Sequence, residues 1–172
     1  MDTLEVTTTI RVPPARAFAF LRDFEGYSQY SKYLQSIRSN GDGSEGTEYE
    51  IRFGWWKLTY GVKTAVTSTT PDERIEWAVE RGLDARGHWA IEPADGGQHS
   101  RVTFAVSYDP DSADVGGLDI PRLVSLDWIV DRVVGLIEEE GRRVVGRVVR
   151  DLEGESRPIT LQVRHGPAEH SI

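Results

Sequence analysis

The chain has 172 residues, 28 acidic and 20 basic side chains, a formal charge of −8 at neutral pH and no cysteine. That length carries one domain with a substantial core rather than two, and the acidic balance disfavours the phosphate contacts on which nucleic-acid binding rests. Disulfides, thiol nucleophiles and thiolate metal sites are excluded. No run approaches the roughly 18 apolar residues of a membrane span, and no signal-peptide core follows the N-terminus, so a soluble, cytoplasmic protein is expected.

Leu4, Val6, Thr8, Ile10 and Val12 alternate with Glu5, Thr7, Thr9 and Arg11, which predicts a half-buried strand. Pro13-Pro14 ends it and opens a helix over Ala15 to Arg22 with Phe18 and Leu21 inward. The run Tyr27 to Leu34, with Tyr30 and Tyr33, reads as a second short helix. From Gln35 onward the period drops to two. Strands are predicted near 36–40, 49–53, 56–66, 75–79, 89–91 and 102–108, separated by turn chemistry such as Gly41-Asp42-Gly43 and Thr70-Pro71-Asp72-Glu73. Their inward parity carries Tyr49, Tyr60, Trp77, Trp89, Phe104 and Tyr108. Glu50, Arg52, Glu76 and His88 fall on the outward parity, unless a β-bulge reverses a strand.

The segment Asp109 to Pro121, with Pro110 and Gly116-Gly117, is a long connection that reads equally as a lid or as a plain crossover. A long helix follows over Arg122 to Leu152. Leu126, Val130, Val133, Val134, Ile137, Val144, Val145, Val148 and Leu152 recur at steps of three and four and form one stripe. Glu138, Glu139 and Glu140, followed by Arg142 and Arg143, read as a solvated helix face. Gly141 notches the stripe at a cost of about 1 kcal/mol relative to Ala. Close packing against a bulky neighbour or the wall of a ligand cavity would each explain it.

The fold class is therefore α+β. A curved antiparallel seven-stranded sheet wraps around the long C-terminal helix, with two short helices after the first strand. Residues 1–153 form the domain; in the tail, 154–172, the alternating patch Ile159 to Val163 reads as an added edge strand, with the last residues disordered.

That order of elements, together with TTIRVPPARAFAF (Thr8 to Phe20), FEGYSQYSKYLQSIR (Phe24 to Arg38), Arg74 to Trp77, Gly87 to Pro93 and RVTFAVSYDP (Arg101 to Pro110), resembles the helix-grip START and birch-pollen-allergen (SRPBCC) superfamily. Within it, the chain is most similar to the polyketide cyclase/dehydrase and coenzyme-Q-binding groups, over roughly residues 3–152. The resemblance implies a cavity between sheet and helix for an apolar or aromatic small molecule. Tyr49, Tyr60, Trp77, Trp89, Phe104 and Tyr108, opposite Ile137 and Gly141, fit its lining. Singly each aromatic reads as core; as a set they read as a pocket.

Two functions follow from the resemblance: a carrier or chaperone for a lipid or isoprenoid quinone, and a cyclase or dehydratase acting on a poly-ketone chain. The second needs a base, and the inward polar residues Tyr49, Tyr60, Thr64, Tyr108 and Asp127 supply no convincing one, so no catalytic residue is assigned. No metal-binding constellation, phosphate loop or nucleophile elbow is present, so no metal or cofactor is expected. Trp55 and Trp128 point outward. Local packing accounts for them, or else a homodimer or transient membrane contact does; the expected state is monomer or homodimer, and no nucleic-acid partner is expected.

Overall fold

Alternation along each strand makes one face of the meander apolar, and in the computed structural model the strands pair so that this face is continuous. The structure describes residues 2–28, 30–55, 58–109, 112 and 126–167. In chain order the elements are β1 (Asp2–Ile10), α1 (Pro14–Arg22), α2 (Phe24–Ser28), β2 (Leu34–Ser39), β3 (Glu48–Trp55), β4 (Leu58–Thr70), β5 (Arg74–Arg81), β6 (Asp84–Ala94), β7 (His99–Asp109), α3 (Leu126–Glu153) and β8 (Gln162–Pro167). Among the described residues they build one open eight-stranded antiparallel sheet in the order β2-β3-β4-β5-β6-β7-β1-β8. The α+β architecture is the expected one.

The core gathers where α1 meets the sheet. Pro14 opens α1 at the position where a missing N–H costs nothing, and Ala17, Phe18 and Leu21 are buried. They join Ile10, Val12, Tyr49, Ile51, Val66, Ile75, Ile91 and Val102 in one cluster, against which Leu152 of α3 packs. Fully buried Ser100 donates its hydroxyl to the Val12 carbonyl at 2.7 Å, so the turn out of β1 is tied to the start of β7.

Among the described residues the sheet has eight strands, the eighth supplied by the tail as an edge strand. A bare edge on β1 would leave a row of unpaired N–H and C=O groups. The tail removes it by pairing residues 162–167 antiparallel with residues 2–7, three residues further on than Ile159 to Val163. Gly154, at φ 80°, ends α3 by returning its N–H to the Arg150 carbonyl at 2.9 Å, a left-handed cap that glycine adopts without strain. Arg157 then holds the returning chain: its guanidinium donates to Glu153 at 2.8 and 3.0 Å and to the Thr9 carbonyl at 2.9 Å.

Two other expectations shift. The second helix is Phe24–Ser28 rather than Tyr27 to Leu34, since Leu34 enters β2 opposite Phe53 and Tyr30 is drawn to α3 by hydrogen bonds to Asp151 and from Arg147. Glu140 is not on a solvated face: it is 9% exposed and Oε1 has no hydrogen-bond partner among the described residues, with Arg143 at 3.6 Å from Oε2. A helical wheel counts only the helix, and here the returning tail lies alongside, Leu161 reaching Gly141. The lid reading of Asp109 to Pro121, the disorder expected of the last residues, and the side chains of Tyr60, Ile137, Asp127, Trp55 and Trp128 lie outside the described residues.

Candidate ligand-binding face

Residues directly opposite in neighbouring strands share a face, so register assigns the site. Val6 faces Phe104, Phe104 faces Trp89, and Trp89 faces Ile75, the face that also carries Ile10, Val102 and Ile91. Trp77 is opposite both Val66 and Gly87 on the same side. Three of the sequence-derived lining residues thereby meet: Trp77 and Phe104 stack with centroids 5.9 Å apart at 16°, and Trp89 tilts onto Phe104 at 4.8 Å and 52°. Gly87 makes the first pair possible, because a Cβ there would stand 2.5 Å from Trp77 Cζ2 and run into the Ala105 carbonyl.

Burial along these strands is uneven. On β1, Leu4 and Ile10 are buried while Val6 and Thr8 between them are half-buried. On β6, Ala85 and Ile91 are buried and Trp89 is not; on β7, buried Val102 is followed by half-buried Phe104, Val106 and Tyr108. The middle of the inner face is thus an apolar floor of large rings with incomplete cover, bounded by closed packing.

The other expected lining residues lie elsewhere on the scaffold. Tyr49 is buried against Phe24, edge to face at 5.2 Å and 87°. Burial pushes its phenol pKa up, and the Glu25, Asp23 and Asp42 carboxylates push it further. Gly141 is half-buried, the place of its absent Cβ 3.6 Å from Leu161. Tyr108 meets a residue that the sequence reading left in the tail, its hydroxyl lying 3.0 Å from His165 Nε2. The signal was available: His165 shares parity with Val163, and β8 places both on the inner side of β1, opposite Leu4 and Val6.

The outer face is different in kind. His88 lies between Glu76 and Ala105 in register, half-buried. Burial and then the Arg74 guanidinium lower its pKa, so the imidazole is more readily neutral than an exposed one. Thr7 and Thr103 share a hydrogen bond at 3.2 Å on that side. Among the described residues no group of three His, Asp or Glu side chains converges to hold a metal ion, and no described helix is long and apolar enough to cross a membrane.

Comparison with known proteins agrees with this geometry. The Zhui aromatase/cyclase from Streptomyces sp. R1128 superposes with a TM-score of 0.64 at 11% identity over 89% of this chain and 94% of that one. A START superfamily protein from Mycobacterium smegmatis gives 0.64 at 14% identity over 88% and 99%, and a protein from Thermus thermophilus gives 0.63 at 16% over 88% and 97%. At such identities the likeness is one of fold. No curated protein matches the sequence significantly. Residues 1–143 match the family described as polyketide cyclase/dehydrase and lipid transport, within the START and birch-pollen-allergen superfamily, and the chain belongs to that family.

Proposed function

We propose that the chain holds an apolar or aromatic small molecule, of lipid or isoprenoid-quinone type, between the inner face of the sheet and α3, as a carrier or chaperone. The observation that carries this reading is the Trp77, Phe104 and Trp89 floor, half-buried between aliphatic residues that are fully buried. A core closed on itself would bury its largest rings first. Covering a ten-carbon chain at about 0.8 kcal/mol per CH₂ contributes roughly 8 kcal/mol gross, the equivalent of micromolar binding before ordering costs are subtracted.

Native mass spectrometry of the protein purified from its own host, followed by solvent extraction, tests the reading directly. A stoichiometric lipid or prenylated quinone is the expected result. In a titration with an apolar fluorescent probe, Phe104→Ala is expected to weaken binding by about tenfold while the protein stays folded. An empty protein whose probe affinity is unmoved by both Phe104→Ala and Trp77→Ala sinks the reading.

The Tyr108 and His165 pair favours a second reading, a cyclase or dehydratase acting on a poly-ketone chain in the same place. A phenol bonded to an imidazole can polarise a carbonyl and relay the proton taken from an adjacent methylene. On this reading Tyr108→Phe abolishes turnover of a poly-ketone substrate and spares its binding. Turnover unchanged in both Tyr108→Phe and His165→Ala removes it.

A further inference from the structure

Among the described residues one buried side-chain oxygen is left without a hydrogen bond, and α3 carries it. Glu140 is 9% exposed, its Oε1 has no partner among the described residues, and Oε2 has Arg143 at 3.6 Å, too long for a good hydrogen bond. Arg143 is itself exposed, so it offsets the charge only in part. A buried carboxyl oxygen without a donor weakens the fold unless something outside the chain completes it.

Spacing along the helix says which way Glu140 faces. Glu140, Val144, Arg147 and Asp151 follow one another at steps of four, three and four, a single line along α3. The far end of that line is occupied: Arg147 donates to the Tyr30 carbonyl at 3.1 Å, and Asp151 accepts the Tyr30 hydroxyl. Shortly after Tyr30 the chain joins the sheet, where the Tyr33 carbonyl accepts the Gly54 N–H at 2.8 Å and Leu34 pairs with Phe53. The line therefore looks toward the end of β3. Glu140, about two helical turns before Arg147, borders the space between α3 and that part of the sheet.

The sheet is open there as well. Tyr49 and Ile51 on β3 are buried, yet Phe53, next in the same parity, is 36% exposed. A ring facing water and a carboxyl oxygen without a donor thus lie on the two sides of one space. A ligand that covers the ring and donates one hydrogen bond to the carboxylate completes both.

Resting on the reading that a ligand lies between the sheet and α3, we infer that Glu140 selects that ligand by its hydroxyl group. The site takes an apolar or aromatic body bearing an alcohol or phenol, and disfavours the ketone or ether of the same body. An ionised carboxylate only accepts hydrogen bonds, so its partner has to be a donor. Rotation about the last side-chain bond, a soft torsion, brings either oxygen to the 11% of the side chain that stays open. Arg143 already offsets part of the charge, which favours a neutral hydroxyl over an ammonium that is costlier to desolvate. For a ligand of quinone type, the choice falls on the reduced, dihydroxy form.

Two probes, 2-naphthol and 2-methoxynaphthalene, share the ring system and differ in the donor. In fluorescence titrations of the full chain the naphthol is expected to bind about tenfold more tightly or better. Glu140→Leu is expected to abolish that preference, with the ether bound as well as before, and to leave the urea midpoint unchanged or raised, because an unpaired buried carboxylate has gone. Glu140→Gln keeps the size and an uncharged acceptor oxygen, and is expected to retain about a third of the preference or less; it decides the matter if the leucine variant does not fold. Phe104→Ala is expected to weaken both probes alike. Equal binding of the two probes to the parent chain, or a preference untouched in the variants, overturns the selection by Glu140 and leaves the ligand site standing. A preference lost only together with a lowered midpoint in both variants marks a packing role and overturns it too. Probes that do not bind, or bind regardless of Phe104, sink the ligand-site reading and this inference with it.

Discussion

Two parts of the same inner face, a few residues apart along the strands, are packed in opposite ways. Where α1 lies on the sheet, Ile10, Ile75, Ile91 and Val102 are buried, none exposing more than 6% of its surface. One or two pleats further, Val6, Trp77, Trp89, Phe104 and Val106 have the same parity, three of them with large rings, yet remain half-open. The first region has a dedicated cover in Ala17, Phe18 and Leu21 of α1. The second has rings stacked on one another over a glycine. Apolar parity therefore decides which way a side chain points but not whether the protein itself fills the space beyond it.

The largest effect is expected where packing is closed. Ile91→Ala removes a fully buried side chain and is expected to cost about 2–5 kcal/mol in urea denaturation, with probe affinity of the surviving folded protein unchanged. A loss below about 1 kcal/mol would mean that this end is no tighter than the aromatic floor, and the contrast would be lost.

The tail provides the next test, because it pins the outer edge of β1 beside the open region. Glu153 is 6% exposed at its side chain and 2.8 Å from Arg157. Burial raises its pKa, but the Arg157 hydrogen bond, the Arg11 N–H and the neighbouring positive charges outweigh that, and the net pKa is lowered. A lowered carboxylate pKa contributes stability that is full above the unfolded pKa and is lost as pH falls through the folded one. Arg157→Ala is expected to cost about 1.5–3 kcal/mol at neutral pH, and the deficit to shrink in acid below the carboxylate range. A deficit independent of pH would show that Arg157 acts through its carbonyl contacts with Thr9 and Pro158 alone.

Gly87→Ala addresses the floor itself. Its methyl group would press on Trp77 and on the Ala105 carbonyl, an overpacking worth about 1–3 kcal/mol. Since Trp77 is only half-buried, it has room to tilt away. The Ala105 carbonyl that the added carbon would meet is backbone and has none, so the stability loss is expected at the upper end, with probe affinity falling as Trp77 is displaced. Full retention of affinity in the folded variant would show that the stacked rings are not where the ligand lies.

The sheet was legible because a one-sided antiparallel strand writes its burial into every second residue, as Val102, Phe104, Val106 and Tyr108 do on β7. The eighth strand was only half legible: Ile159 to Val163 alternates, but its register is set by the free edge of β1 and by Arg157, neither of which is local in sequence. The tyrosine-rich run after α1 looked helical until its partners were known, since Tyr30 takes its place from Asp151 and Arg147 on α3. Parity also brought Trp77, Trp89 and Phe104 together without further information. What parity cannot give is a partner from another element, which is why His165 against Tyr108 and the carboxylates around Tyr49 emerged only from the fold.

The smallest effects separate the two faces of one strand. Val6 and Thr7 are adjacent on β1: Val6 is half-open beside Phe104, and Thr7 is buried on the opposite side with its hydroxyl 3.2 Å from Thr103. Thr7→Val keeps the shape and removes that hydrogen bond, leaving a Thr103 hydroxyl that water can reach, so about 0.5–1 kcal/mol is expected in denaturation, with unchanged probe binding. Val6→Ala should lose no more than about 1 kcal/mol, because part of its surface stays in contact with water in the protein alone. Its probe affinity should nevertheless fall by about threefold, since the methyl groups removed would be covered only when ligand is present. If Thr7→Val rather than Val6→Ala moves the affinity, the ligand lies on the outer face, and the assignment of the half-open rings to a binding site fails with it.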